Sequence, residues 1–106
     1  MKESLFQSPE IDELHSLLNS KDNAPRRGYR RNVEIYELVC YVNNIIACYL
    51  SHNEKPIPVF IERAKIFLKE HGSAEWKEYC ELVGKYLATL ENHLSKHGVD
   101  INVENQ

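Results

Sequence analysis

"NVEIYELVCYVNNIIACYLS", residues 32 to 51, is the stretch whose reading decides the fold. At about 100° per residue, Ile35, Leu38, Val39, Val42, Ile45, Ile46, Tyr49 and Leu50 fill one continuous arc of about 140°. No Gly or Pro interrupts it. The pattern predicts a helix over about residues 32–52 with one face in a core. The rest of its circumference is chemically odd. Tyr36, Cys40, Asn43 and Ala47 lie beside the apolar arc, Tyr41, Asn44 and Cys48 lie opposite it, and Glu34 and Glu37 carry its only charges. A helix in contact with water normally sets Lys and Glu on its outer face. This one is therefore expected to be surrounded within the domain or to meet another chain along one flank.

Upstream, "SPEIDEL" reads as a helix start. Ser8 suits the N-cap, Pro9 the first helical position, and Glu10, Asp12 and Glu13 complement the positive end of the helix dipole. A short helix over about 9–20 follows, with Ile11, Leu14, Leu17 and Leu18 as its apolar stripe. Downstream, "HNEKPIP" is a brief connection. Pro58 opens a third helix, over about 58–71, with Phe60, Ile61, Ala64, Phe67 and Leu68 facing inward and Val59 and Ile66 outward. Gly72 stops it and Ser73 caps a fourth, over about 73–97, whose stripe is Trp76, Cys80, Val83, Leu87, Leu90 and Leu94, flanked by Tyr79 and Tyr86. So short a link makes the last two helices an αα-hairpin. The tail, 98–106, has no helical period and is expected to be loosely ordered. The fold class is thus all-α, a compact antiparallel bundle of four helices in a single domain, 1–106. Its one long connection is the segment 21–31.

Composition bounds what such a bundle does. The chain has 106 residues, 42% hydrophobic and 27% charged, which is enough to fold without metal or disulfide staples. Its formal net charge of −3 disfavours general nucleic-acid binding, which asks for a basic domain. The uncharged run 38–51, at 14 residues, falls short of the roughly 20 that span a bilayer. The segment "MKESLFQSPE" has no apolar run of the signal-peptide kind. A cytoplasmic protein without a membrane role is expected. Cys40, Cys48 and Cys80 are odd in number, show no CxxC spacing and fall in helical patterns, so three reduced core thiols are expected.

Signals for chemistry are absent. No strained nucleophile elbow, G-x-S-x-G or Cys–His signature is present, so no catalytic residue is assigned. His93 and His97 stand at i, i+4 on one helical face, and an antiparallel bundle brings His52 toward them. There is no H-E-x-x-H and no carboxylate at a matching position, while His in a last helical turn is favoured by the dipole. No metal site and no cofactor are assigned.

The remaining feature is "NAPRRGYRRN", residues 23 to 32, where four of the 13 Lys and Arg fall within six positions. Arg26, Arg27, Arg30 and Arg31 surround Gly28 and Tyr29. Guanidinium forks grip carboxylates or phosphates, and Tyr stacks on a flat partner. Glu34 and the acidic first helix offer internal partners, but surface pairs of this kind are worth under about 1 kcal/mol each. The loop is expected to dock acidic protein, its own or a partner's. Setting aside its four Arg leaves 9 basic against 16 acidic residues, a balance that repels a polyanion. The expected function is a small protein-interaction module of inhibitor, immunity, antitoxin-like or regulatory type. Arg26, Arg27, Tyr29, Arg30, Arg31, Tyr36, Tyr41 and Asn44 are its candidate partner-binding residues. A homodimer through the second helix is the other way of covering its uncharged flank. Binding of RNA, DNA or another phosphate ligand by the Arg/Tyr loop is the alternative reading.

Overall fold

The structure is a computed structural model and describes residues 5–19, 33–71 and 77–99. Four helices account for most of them: α1 (Pro9–Leu18), α2 (Val33–Leu50), α3 (Ile57–His71) and α4 (Lys77–Lys96). No strand occurs among the described residues. The chain is all-α, a bundle of four helices with a short first one, as the periodicity predicts. The Arg loop 21–31, Gly72 with Ser73 and Trp76, and the tail from residue 100 lie outside the described residues.

α1 starts where its sequence says. The Ser8 backbone is extended, with φ −135° and ψ 116°, and its Oγ accepts from the Ile11 N–H at 3.4 Å. Pro9 follows at the first helical position, where a missing N–H costs nothing. Its buried face is Ile11, Leu14, His15 and Leu18, and Leu17 is 40% exposed. The expectation that Leu17 faces the core is therefore corrected. The four buried positions are spaced i, i+3, i+4, i+7, a geometric stripe that leaves Leu17 off its edge.

α2 supplies the centre of the core. Ile35, Leu38, Val39, Val42, Ile45, Ile46 and Tyr49 are all buried. Leu50, assigned to the same arc, is instead 65% exposed. It lies at the rim of the arc in the last residue of the helix, where no further turn covers it. α2 packs chiefly against α3, which buries Ile57, Ile61, Ala64 and Phe67. Ile66 is exposed as predicted, whereas Val59 is half-buried. Ile57 is completely buried because α3 begins one residue before Pro58, which puts 57, 61 and 64 on one face.

α4 is rolled relative to its predicted stripe. Tyr79 and Tyr86 lie in the core with Val83, Leu87, Leu90 and Leu94, and Cys80 is only half-buried. Two phenol rings bury far more apolar area than one thiol, so the roll that takes them inward is favoured. The thiol expectation is corrected with it: Cys40 is exposed, Cys48 and Cys80 are half-buried, and none of the three is in a disulfide. Lys65 of α3 and Glu91 of α4 add a surface ion pair at 3.3 Å, worth under about 1 kcal/mol.

Two helix ends close in the same way. After α4, the Gly98 N–H donates to Ser95 O and the Val99 N–H to Leu94 O, with Gly98 at φ 77°. After α2, the His52 N–H donates to Tyr49 O and the Asn53 N–H to Cys48 O, with His52 at φ 59°. Both are Schellman caps, which need a left-handed residue after the helix. Glycines at 98 and 84 then predict opposite signs. A Cβ at either meets nothing within 4 Å. Gly98→Ala is left with only the left-handed penalty and is expected to cost about 1 kcal/mol, whereas Gly84→Ala, inside α4, is expected to gain about 0.5–1 kcal/mol. Thermal unfolding of the two variants checks the pair.

Candidate protein-interaction surface

α2 is the helix on which the structure and the charge pattern pull apart. Its inner arc is buried by its own domain, yet beyond Glu37 in its first turns its outer arc stands in water without charges. Cys40, Asn43, Asn44, Ala47 and Leu50 are exposed, and Tyr36 is half-buried beside them. From Leu38 to Asn53 the chain carries no Asp, Glu, Lys or Arg. A helix surrounded on all sides, one of the two expectations for this sequence, is thereby excluded. Tyr41 and Cys48, assigned to the side opposite the core, are corrected: they are half-buried and pack against it. The apolar arc is continued on their side of α2, past Ile45, rather than on the side of Asn43 and Ala47. Of the predicted site residues, Tyr36 and Asn44 therefore share an outward arc, Tyr41 bounds it, and the five of the Arg loop lie outside the described residues.

A second group of side chains ties α1 to the bundle. The His15 ring is buried, with its Nε2 2.8 Å from the Tyr86 Oη, and it stands edge-on to Tyr49 at 5.0 Å between centroids. Burial holds the His15 pKa below its ordinary value, and the Asp12 carboxylate only partly offsets this. Burial pushes the Tyr86 phenol well up, with the neighbouring Tyr49 adding to the shift. Both partners are neutral near pH 7, and the single proton between them makes one hydrogen bond. Sequence reading did not single out His15. The signal was available: its spacing from Ile11, Leu14 and Leu18 completes a helical stripe. Tyr79 is raised in the same manner, by burial first and then by the Cys80 and Cys40 thiols.

Residues 5–8 are pinned across the end of the bundle. The His93 Nε2–H donates to Leu5 O at 2.7 Å, a carbonyl that only accepts. Phe6 stacks on His52 at 4.8 Å with rings nearly parallel, and meets Tyr49 edge-on at 5.6 Å. His52 and His93 are thus drawn to the same end, as the bundle reading expected, but through Leu5 and Phe6. His93 and His97 are 4.6 Å apart between ring centroids. Among the described residues no group of three or more His, Cys, Asp and Glu is placed to hold a metal ion. A cavity of about 390 Å³ opens beside them, between Ser8 and Glu10 of one wall and Thr89, Asn92, Lys96 and His97 of the other. Glu10 and Lys96 oppose each other across it in sign, so the lining selects neither cation nor anion.

None of these groups forms a nucleophile–base pair. The hydrogen-bonded His15–Tyr86 pair is buried where α1 meets α4, beside Tyr49 of α2. No helix of the described residues is long and apolar enough to cross a membrane. Comparison with known protein families, with curated proteins and with solved structures finds no match.

Proposed function

We propose that this chain is a protein-interaction module, of inhibitor, immunity, antitoxin-like or regulatory type, that binds and controls a partner protein in the cytoplasm. The observation that carries the reading is the outer arc of α2, exposed yet uncharged from Cys40 to Leu50. Such an arc gains little from water. Leu50 offers apolar area, Tyr36 an amphipathic ring of the kind enriched in interfaces, and Asn43 and Asn44 amides that both donate and accept. The Arg-rich loop that precedes α2 in sequence adds guanidinium forks suited to an acidic partner surface. In this reading the helix face supplies the contact and the loop supplies steering.

The test is affinity capture with three proteins: the unaltered chain, Ala47→Arg, and the pair Arg26→Glu with Arg30→Glu. Ala47 is exposed, so the helical circular-dichroism signal is expected to stay unchanged in that variant. Loss of one captured protein with Ala47→Arg, together with slower association in the Arg reversal, is the expected result. A captured protein that binds all three equally counts against both surfaces. Capture of RNA or DNA in a salt-dependent manner, abolished by the Arg reversal alone, replaces this reading with phosphate binding.

A further inference from the structure

We propose that His93 and His97 together bind one divalent transition-metal ion of the nickel(II) or copper(II) kind, in the cavity between the start of α1 and the end of α4. The site is separate from the outer arc of α2, and neither depends on the other. The two imidazoles stand at i, i+4 near the end of α4, with ring centroids 4.6 Å apart. The helix dipole favours a cationic His in a last turn, but it does not account for two of them side by side. Two imidazolium rings at that distance repel each other, and Lys96 is a further cation in the same turn. Neutral rings avoid the repulsion, and neutral imidazole is the form that ligates metal.

His93 is prepared for that role. Its Nε2–H is committed to Leu5 O at 2.7 Å, which fixes the tautomer and leaves the lone pair on Nδ1. A ligating His almost always donates its other ring N–H to a carbonyl, a carboxylate or water in this way. His93 is only 8% exposed, yet among the described residues nothing hydrogen-bonds its Nδ1, and that atom is not sealed within the protein. The opening it meets is the cavity, which His93 and His97 line from α4. A buried acceptor of this kind calls for a partner. The exposed His97 ring likewise makes no hydrogen bond to the described residues, so its lone pair is available to the same occupant.

Spacing and coordination chemistry choose the ion. A metal about 2.0–2.1 Å from a ring nitrogen lies about 3.2 Å from that ring's centroid. Centroids 4.6 Å apart therefore suit one shared ion at an N–metal–N angle of about 90°. That is the angle between neighbouring ligands in square-planar or octahedral coordination, and it is smaller than the tetrahedral angle zinc prefers. Glu10 and Lys96 offset each other on the cavity wall, so charge does not choose the occupant; the two lone pairs do. Water fills the remaining positions, because no third His, Cys, Asp or Glu is in place among the described residues. An ion on Nδ1 polarises the Nε2–H and strengthens its bond to Leu5 O, which ties residues 5–8 more firmly to α4.

Calorimetric titration of the full chain with Ni²⁺ at neutral pH, in a phosphine reductant, tests the site. Ni²⁺ is the probe because Cu²⁺ reacts with thiols, and Cys40 is exposed. One ion per chain is expected, with Zn²⁺ bound more weakly. His97→Ala removes an exposed ring and is expected to leave the helical circular-dichroism signal unchanged while weakening Ni²⁺ binding by at least about tenfold. Cys40→Ser is expected to bind as the unaltered chain does. Ni²⁺ is also expected to raise the unfolding midpoint of the unaltered chain and of Cys40→Ser, but not that of His97→Ala. Absence of stoichiometric binding overturns the proposal, as does binding that survives His97→Ala or disappears in Cys40→Ser. Zn²⁺ bound more tightly than Ni²⁺ overturns the choice of ion.

Discussion

Leu38→Ala is expected to lower folding stability by about 2–5 kcal/mol, while Leu50→Ala in the same helix is expected to change it by no more than about 0.5 kcal/mol. The two leucines are twelve residues apart and chemically identical, so the contrast reads only their surroundings. Leu38 is completely buried, and Leu50 is 65% exposed. Truncating Leu38 forfeits the transfer of its side chain and leaves a cavity that its neighbours fill only in part. A domain of this size has roughly 5–15 kcal/mol in hand, so Leu38→Ala spends a large share of it. Urea unfolding at low protein concentration measures both, and a shift in midpoint at constant slope identifies a stability change. A Leu50→Ala loss as large as that of Leu38→Ala would mean that the arc assigned to solvent is buried within the domain.

How far the sequence carries the fold can be seen residue by residue. The inner arc of α2 was legible because seven β-branched, leucyl and aromatic positions recur at helical spacing with nothing polar among them. Leu50 was misplaced because periodicity describes an endless helix, whereas a real one stops and leaves its rim uncovered. His15 was passed over because a titratable side chain is discounted as a core residue, although its spacing was right. Burial of a neutral imidazole becomes affordable only when a partner such as the Tyr86 hydroxyl is supplied from another helix, and that pairing spans 71 positions of sequence. The roll of α4 depended on a competition between Tyr79, Tyr86 and Cys80 that a binary apolar pattern treats as a tie. The candidate surface was legible in its chemistry but not in its side. Both flanks of α2 are uncharged, and only the packing shows that Tyr41 and Cys48 turn toward the core while Cys40, Asn43 and Ala47 turn away.

The His15–Tyr86 pair makes stability depend on pH with a definite sign. Burial lowers the His15 pKa in the folded chain below its ordinary 6.5. The folded state therefore binds fewer protons than the unfolded state once the pH drops into that range. The contribution is complete above about pH 6.5 and is lost as pH falls from there through the folded pKa, by up to about 1.4 kcal/mol per pH unit. Asp12 on the same helix and the two neutral phenols, Tyr49 and Tyr86, are the titratable groups recorded against the ring. Asp12 softens the loss without reversing it, because its attraction for the imidazolium is the smaller of the two effects. His15→Gln keeps a side chain able to hydrogen-bond Tyr86 but removes the titration. The difference in stability between the unaltered chain and His15→Gln is expected to shift against the unaltered chain as pH is lowered from about 7.5 to about 5. Tyr86→Phe separates the hydrogen bond from the titration: it leaves a buried ring nitrogen without that partner and is expected to cost about 1–3 kcal/mol already at neutral pH. Unfolding midpoints of the three proteins across that range measure both effects. Parallel curves for the unaltered chain and His15→Gln would show that His15 titrates as it does in water, and the buried pair would have to be abandoned.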